Sequence, residues 1–170
     1  MYKKLDENKV AKYLSNEGDF AKNNPDFEER ISQLELTKKI VQCFNDNQIG
    51  VFEAGTGVGK SYAYLLPALL WVKENNQRVV ISTGTINLQQ QLAEKDIIQA
   101  QKILGLNEKF LLLKGRQNYV CLRRLYDLQE EKDLFFEEEE ELELISEWVK
   151  TSETGSKSEL TFLPQEAIWQ

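Results

Sequence analysis

An α/β fold, a parallel sheet covered by helices on both faces, is predicted by three observations on this 170-residue chain. Short β-branched and aromatic runs at 49–52, 78–83 and 110–113 alternate with longer stretches of helical apolar spacing. The runs are rich in apolar residues, as suits strands buried under helices on both sides. Between the first run and the helix after it lies a glycine-rich turn, Glu53-Ala54-Gly55-Thr56-Gly57-Val58-Gly59-Lys60-Ser61. Ligands in such sheets sit beyond the carboxyl ends of the strands, which is where this turn falls.

Leu5, Val10, Ala11 and Leu14 predict a short amphipathic helix that stops at the Asn16-Glu17-Gly18-Asp19 turn. Asn23-Asn24-Pro25-Asp26 breaks the chain again, and Asp26 with Glu29 three residues on is a start signal for the next helix. That helix carries Ile31, Leu34, Ile40, Val41 and Phe44 to about Asn45, with Cys43 as a packed thiol. The first strand, Ile49-Gly50-Val51-Phe52, follows. The helix that opens at Lys60 holds Pro67 in its interior, where a lost amide hydrogen bond predicts a kink. After the second strand, Thr85 or Asn87 is suited to cap a helix running through Leu88, Leu92 and Ile97. Phe110-Leu111-Leu112-Leu113 is the third run. Beyond Arg116 the pattern predicts a helix over 117–128, a second holding the acidic run 137–141 and ending near Lys150, and a polar linker at 151–156. The acidic run reads as a solvated face.

The turn takes its meaning from its flanks. At a helix start the first amide N–H groups lack partners and the dipole is positive, so this backbone is suited to phosphate oxygens. Ala54, Gly55, Thr56, Gly57, Val58, Gly59, Lys60 and Ser61 are the predicted nucleotide-binding residues. Lys60 reaches for the β and γ phosphates of ATP as the catalytic lysine, and the Ser61 hydroxyl for the Mg²⁺ that bridges them. A turn that binds nothing is the bland alternative, and it leaves the spacing of glycines, lysine and serine unexplained.

Composition suits one globular core: 41% apolar and 10% aromatic. With no apolar stretch long enough to span a membrane and a polar start, the expectation is a cytoplasmic protein without a membrane partner. Cys43 and Cys121, the two cysteines, give no disulfide framework. Net charge is −7, but it is uneven: 15 basic and 14 acidic residues lie up to Gly115, 6 and 14 after it. The acidity belongs to the tail, so overall charge neither supports nor excludes a nucleic-acid partner for the first part.

Four segments, in order, resemble the DinG-like and XPD-like helicases of superfamily 2, which carry an iron-sulfur cluster. Phe27-Glu28-Glu29-Arg30-Ile31-Ser32-Gln33 is similar to the segment whose arginine and glutamine lie near the adenine. The turn with Tyr62-Ala63-Tyr64-Leu65-Leu66-Pro67-Ala68 resembles the first helicase motif, alanine before the first glycine included. Ile81-Ser82-Thr83-Gly84-Thr85-Ile86-Asn87-Leu88-Gln89-Gln90-Gln91-Leu92 resembles the motif that touches the nucleic-acid backbone. Lys114-Gly115-Arg116-Gln117-Asn118-Tyr119-Val120-Cys121 is similar to the entry into the cluster domain, whose cysteine ligates iron.

The resemblance implies a P-loop NTPase (RecA-like) sheet, incomplete here, followed by a helical acidic segment. It implies a helix and linker over 1–25, the first half of the ATP-binding motor domain over 26–115, and the beginning of the cluster domain over 116–170. Arg30 and Gln33 become adenine contacts; Thr83, Thr85 and Asn87 become single-stranded DNA contacts, with helix capping the competing use of the same groups. Tyr119, Arg123 and Arg124 are suited to stacking and phosphate contacts, with core packing the alternative for Tyr119. Cys121 is either an iron ligand or a free thiol. A cluster takes about four thiolates, and no cysteine follows Cys121, so a 4Fe-4S cluster is not expected in this chain alone. No DEAH-type acidic pair and no second motor domain are found, so ATP binding is expected without turnover. The expectation is the front of a longer DNA helicase whose remainder is a partner. A stand-alone nucleotide-binding module and a small P-loop kinase are the alternatives.

Overall fold

The computed structural model describes residues 2–24, 26–130 and 136–169, with the backbone alone over 136–138. It forms two units, Met1–Leu112 and Leu113–Gln170.

In the first unit Asp6 opens α1 (Glu7–Lys12), its carboxylate accepting from the Asn8 and Lys9 amides at 2.9 and 3.0 Å. After α2 (Asp19–Asn23) comes α3 (Ile31–Asp46), preceded by an extended Arg30. The helix does not start at Asp26. Glu29, the second half of the expected start signal, instead accepts from the Asn16 amide at 2.8 Å and so ties two loops together. Pro25, at the expected break, lies outside the described residues. α3 ends at Asn47 in the left-handed region, φ 53°, and packs against both α1 and α4 (Lys60–Asn75). The Asn45 side chain brackets Leu5, accepting from its amide and donating to its carbonyl, each at 2.8 Å.

α4 is the spine of this unit. It runs unbroken through Pro67, and Ala63, Leu65, Leu66, Leu69 and Trp71 are buried along it. Leu14, Phe20, Val41, Leu92 and Ala100 close the core around it, with Phe20 edge-on to Tyr62 at 4.5 Å. α5 (Ile86–Gln91), a turn of π-helix (Leu92–Asp96) and α6 (Ile97–Leu104) follow one another without a break, and the last two pack on α4.

The three expected strands are corrected by the structure. Among the described residues the runs 49–52, 78–83 and 110–113 adopt no strand and form no ladder. Ile49, Val51, Val80 and Leu111 are 97, 93, 89 and 85% exposed, whereas Val79 and Ile81 touch the core. The alternation at 79–81 is strand-like, but a strand exists only when a neighbour takes up its N–H and C=O groups. The apolar pattern specifies suitability for a sheet and supplies no neighbour.

In the second unit, α7 (Leu122–Glu130), α8 (Phe136–Thr151) and α9 (Glu166–Trp169) contribute Leu125, Leu142, Ile145, Ile168 and Trp169 to a separate core. The helix expected from 117 starts at Leu122. Ahead of it Arg116–Asn118 is a single 3₁₀ turn, and Tyr119 forms an antiparallel bridge with Ser156, the Val120 amide donating to the Gly155 carbonyl at 2.9 Å. The 151–156 segment is therefore folded, not a linker. Ser152 accepts from the Gly155 amide at 2.8 Å, and the Glu159 carboxylate takes the Ser152 and Thr154 hydroxyls, which together hold it below the usual carboxylate range. In the acidic run the side chains of Glu137 and Glu138 lie outside the described residues; Glu139 and Glu140 are exposed. No helix among the described residues is long and apolar enough to cross a membrane.

Candidate nucleotide site

The turn 53–61 opens into α4 through two glycines in the left-handed region, Gly57 at φ 80° and Gly59 at φ 81°. Gly59 is required twice over. A Cβ there would lie 2.2 Å from Gln33 Nε2, in addition to the strain of its φ. Gly59 caps α4 with no side-chain hydrogen bond, so no cap side chain takes up the first-turn amides, the groups an anion seeks. A Cβ on Gly55 or Gly57 would meet nothing within 4 Å, so the mouth of the turn is open. Lys60 folds back over it, its Nζ donating to the Ala54 and Gly55 carbonyls at 2.9 and 2.6 Å. The lysine is exposed.

α3 holds the turn from behind. Gln33 is only 4% exposed; its Nε2 donates to the Gly59 carbonyl at 2.8 Å, while its own carbonyl accepts from the buried Thr37 hydroxyl at 2.8 Å. The Arg30 guanidinium donates to the Gly57 carbonyl. The two residues expected at the adenine thus brace the two glycines of positive φ. The sequence pattern pairs them with the turn but does not reveal this grip, since the residues are 26 and 27 positions apart.

At the opening of α4 the Tyr62 hydroxyl donates to Gln99 Oε1 at 2.7 Å. Burial, and then the nearby Asp96 carboxylate, push this phenol up to about 12. Tyr64 is raised by burial too, a hydrogen bond with Ser61 working against it and Asp96 adding to it. Asp96, which sequence reasoning missed, is buried in the π-turn and accepts from Gln91 Nε2 at 3.2 Å.

Thr83, Thr85 and Asn87 line the entry to α5. Thr85 accepts from the Leu88 amide at 3.2 Å and Thr83 donates to the Thr85 carbonyl at 3.0 Å, so both hydroxyls serve the turn; Asn87 is exposed in the first helical turn.

In the second unit Cys121 is an exposed free thiol just ahead of α7. Among the described residues no three His, Cys, Asp or Glu side chains gather as a metal site. An iron-sulfur cluster therefore does not fit the residues present. Tyr119 accepts from the Lys114 amide at 3.0 Å, Arg123 pairs with Asp127 at 3.8 Å, and Arg124 donates to the Ala167 carbonyl at 3.2 Å. Lys114, also missed, is buried, with its Nζ donating to Ser158 at 2.7 Å and Ser156 at 3.2 Å.

A family model described as DEAD/DEAH box helicase matches residues 31–157, which takes in the glycine turn, its α3 brace and the α5 entry. The chain belongs to the DEAD/DEAH box helicase family. The P-loop NTPase fold follows from that membership. The chain is 36% identical over 162 residues to the ATP-dependent DNA helicase YoaA of Haemophilus influenzae, covering 95% of this chain and 25% of that protein. It is 40% identical over 102 residues to the ATP-dependent helicase DinG of Mycobacterium tuberculosis, covering 58% of this chain and 15% of the relative. With the 3′-5′ exonuclease DinG of Bacillus subtilis it shares 29% identity over 136 residues, 80% of this chain and 15% of that one. The chain thus spans a quarter or less of the length of these relatives.

Proposed function

We propose that this chain is the amino-terminal part of a DinG-like ATP-dependent DNA helicase that binds ATP with Mg²⁺ through residues 54–61. The observation that carries the reading is the turn itself. Two glycines at positive φ, first-turn amides without a side-chain cap and an exposed lysine at the helix start form an anion cradle. Lys60 turns from the Ala54 and Gly55 carbonyls to the terminal phosphates, and the Ser61 hydroxyl holds Mg²⁺. Arg30 and Gln33 lie against the turn, Gln33 offering an amide suited to an adenine edge. Residues 26–115 are then the first half of the motor domain and 116–170 the start of the cluster domain, with α1 and α2 ahead of both and packed into the core of the first unit. Thr83, Thr85 and Asn87 meet the backbone of single-stranded DNA. Hydrolysis needs an oriented water and charge stabilisation of the transferring phosphoryl, and both await the rest of the helicase. Calorimetry with a non-hydrolysable ATP analogue and Mg²⁺ tests the reading: binding by the 170-residue chain that disappears in Lys60→Ala supports it, and equal binding by both refutes it. Family membership leaves the metabolite-kinase alternative without support.

A further inference from the structure

Residues 2–6 fasten the first unit at the end far from the glycine turn. Asn75 Oδ1 accepts from the Lys3 amide at 2.6 Å and its Nδ2 donates to the Lys3 carbonyl at 3.2 Å, while Asn45 brackets Leu5 in the same way at 2.8 Å. An asparagine side chain offers one acceptor and paired donors, the groups that a neighbouring strand would present. Asn45 stands in the last turn of α3, and Asn75 is the last residue of α4. Beside them lie Asp46 and Glu74, acids at helix carboxyl ends where the dipole disfavours negative charge. Lys4 pairs with Asp46 at 2.8 Å and Lys3 with Glu74. Trp71 of α4 meets Tyr2 on one side and Phe44 of α3 on the other, at ring centroid distances of 5.6 and 5.3 Å. A segment that belongs to neither helix thus laces their carboxyl ends together.

The same two helices meet the glycine turn at their amino ends. Arg30, just ahead of α3, and Gln33 in its first turn hold the Gly57 and Gly59 carbonyls, and Lys60 and Ser61 open α4. Between the two ends α3 and α4 pack on each other, with Val41, Leu65 and Leu66 in one core. Each helix has 16 residues, about 24 Å, so a tilt of about 3° at one end moves the other by about 1 Å. That is enough to take Gln33 Nε2 from its 2.8 Å contact with the Gly59 carbonyl to beyond the ~3.2 Å reach of an N–H···O bond.

We propose that Asn45 and Asn75 are positioning residues for the nucleotide: with segment 2–6 they set the angle between α3 and α4, and through it the hold of Arg30 and Gln33 on the glycine turn. The inference rests on the nucleotide site proposed above. A phosphate cradle gains affinity by holding its donors in place before the ligand arrives, so a looser turn binds more weakly with every ligand contact still available. When the lacing is lost the carboxyl ends splay, the Gln33 bond to Gly59 lengthens, and the first-turn amides of α4 lose their alignment. Bound nucleotide fastens the turn end and so tightens the lacing in return, as linkage requires.

The test combines calorimetry and amide exchange on the 170-residue chain with a magnesium-bound, non-hydrolysable ATP analogue. Asn75→Ala and Asn45→Ala, each checked for folding by circular dichroism, should bind the analogue at least about threefold more weakly than the native sequence, although both residues sit at the opposite helix ends from the turn. In a Gln33→Leu background, where the hold is already lost, the further loss from Asn75→Ala should shrink to within about twofold. In the native sequence the Lys3 and Leu5 amides, which the two asparagines accept from, should exchange at least about threefold more slowly when the analogue saturates. Unchanged affinity in the folded variants overturns the proposal, as does a loss that adds in full to that of Gln33→Leu. Should neither variant fold, unaltered exchange at Lys3 and Leu5 overturns it. A native chain that binds no analogue refutes the nucleotide site itself, and the first titration tells that result apart from a failure of the lacing.

Discussion

Lys60 and Gly59 are neighbours with opposite duties. Lys60 is exposed and touches only the turn's own carbonyls, so Lys60→Ala should cost at least about tenfold in affinity for a magnesium-bound ATP analogue, ~1.4 kcal/mol, with an unchanged urea midpoint; calorimetry and chemical unfolding read the two separately. Gly59→Ala reverses this. It meets Gln33 Nε2 and a left-handed φ, so it should destabilise the chain by roughly 1–3 kcal/mol and shift the urea midpoint down. Gln33→Leu removes the donor to the Gly59 carbonyl from a site with little exposure and should cost about 1–3 kcal/mol and weaken nucleotide binding through a looser turn. The turn was legible in the sequence because its glycines, lysine and serine are near neighbours along the chain and open a helix. The brace was not, since a hydrogen bond from Gln33 to a carbonyl 26 residues away leaves no periodic mark. Asp96 escaped for a similar reason: an aspartate following Lys95 in a polar stretch looks solvated until the π-turn directs it inward.

At the scale of elements, α5 carries a question the hydroxyl of Thr85 answers. It caps the helix through the Leu88 amide, so Thr85→Ala should lose about 0.5–2 kcal/mol, and Thr85→Ser should recover most of it in thermal unfolding. If DNA affinity falls in both variants, the methyl face matters to DNA; if it falls in alanine alone, the hydroxyl does. α4 and α6 meet through Tyr62, whose phenol burial and Asp96 hold at about 12 against 10 in an unfolded chain. The folded state resists ionising it, so this contribution to stability is intact below pH 10 and is lost as pH rises from there through about 12. Tyr62→Phe should flatten the stability profile in that window, read by denaturant unfolding at successive pH values. Helices α1 and α4 followed their apolar spacing, whereas α3 buries Gln33 and Thr37 beside Val41 and leaves Ile31 exposed. Helix ends departed from the pattern, because caps depend on which side chain reaches which amide: Asp26 and Glu29 carry the right types for a helix start, yet Glu29 is bonded to Asn16 and α3 waits for Ile31.

Across the whole molecule, the exposed apolar side chains of the strand-like runs stand out. Ile49, Val51, Val80 and Leu111 expose apolar side chains suited to a buried sheet, and such exposed apolar surface invites association with other chains. The 170-residue chain should therefore self-associate in light scattering and bind a hydrophobic dye, and Val51→Lys with Leu111→Lys should reduce both without altering the helical circular dichroism. Cys121, exposed and alone among the thiols of its unit, should react with a thiol reagent faster than the half-buried Cys43. The family was written in the sequence by itself, because the glycine-rich turn and the motifs flanking it are contiguous, and short-range patterns survive without knowledge of the fold. The grip of α3 on the turn, the inward carboxylate of the π-turn, the folding of 151–156 around Glu159 and the exposure of Ile49, Val51, Val80 and Leu111 were decided only in three dimensions. Each depends on which distant groups meet, and a strand or a buried charge acquires its energy from the partner it finds.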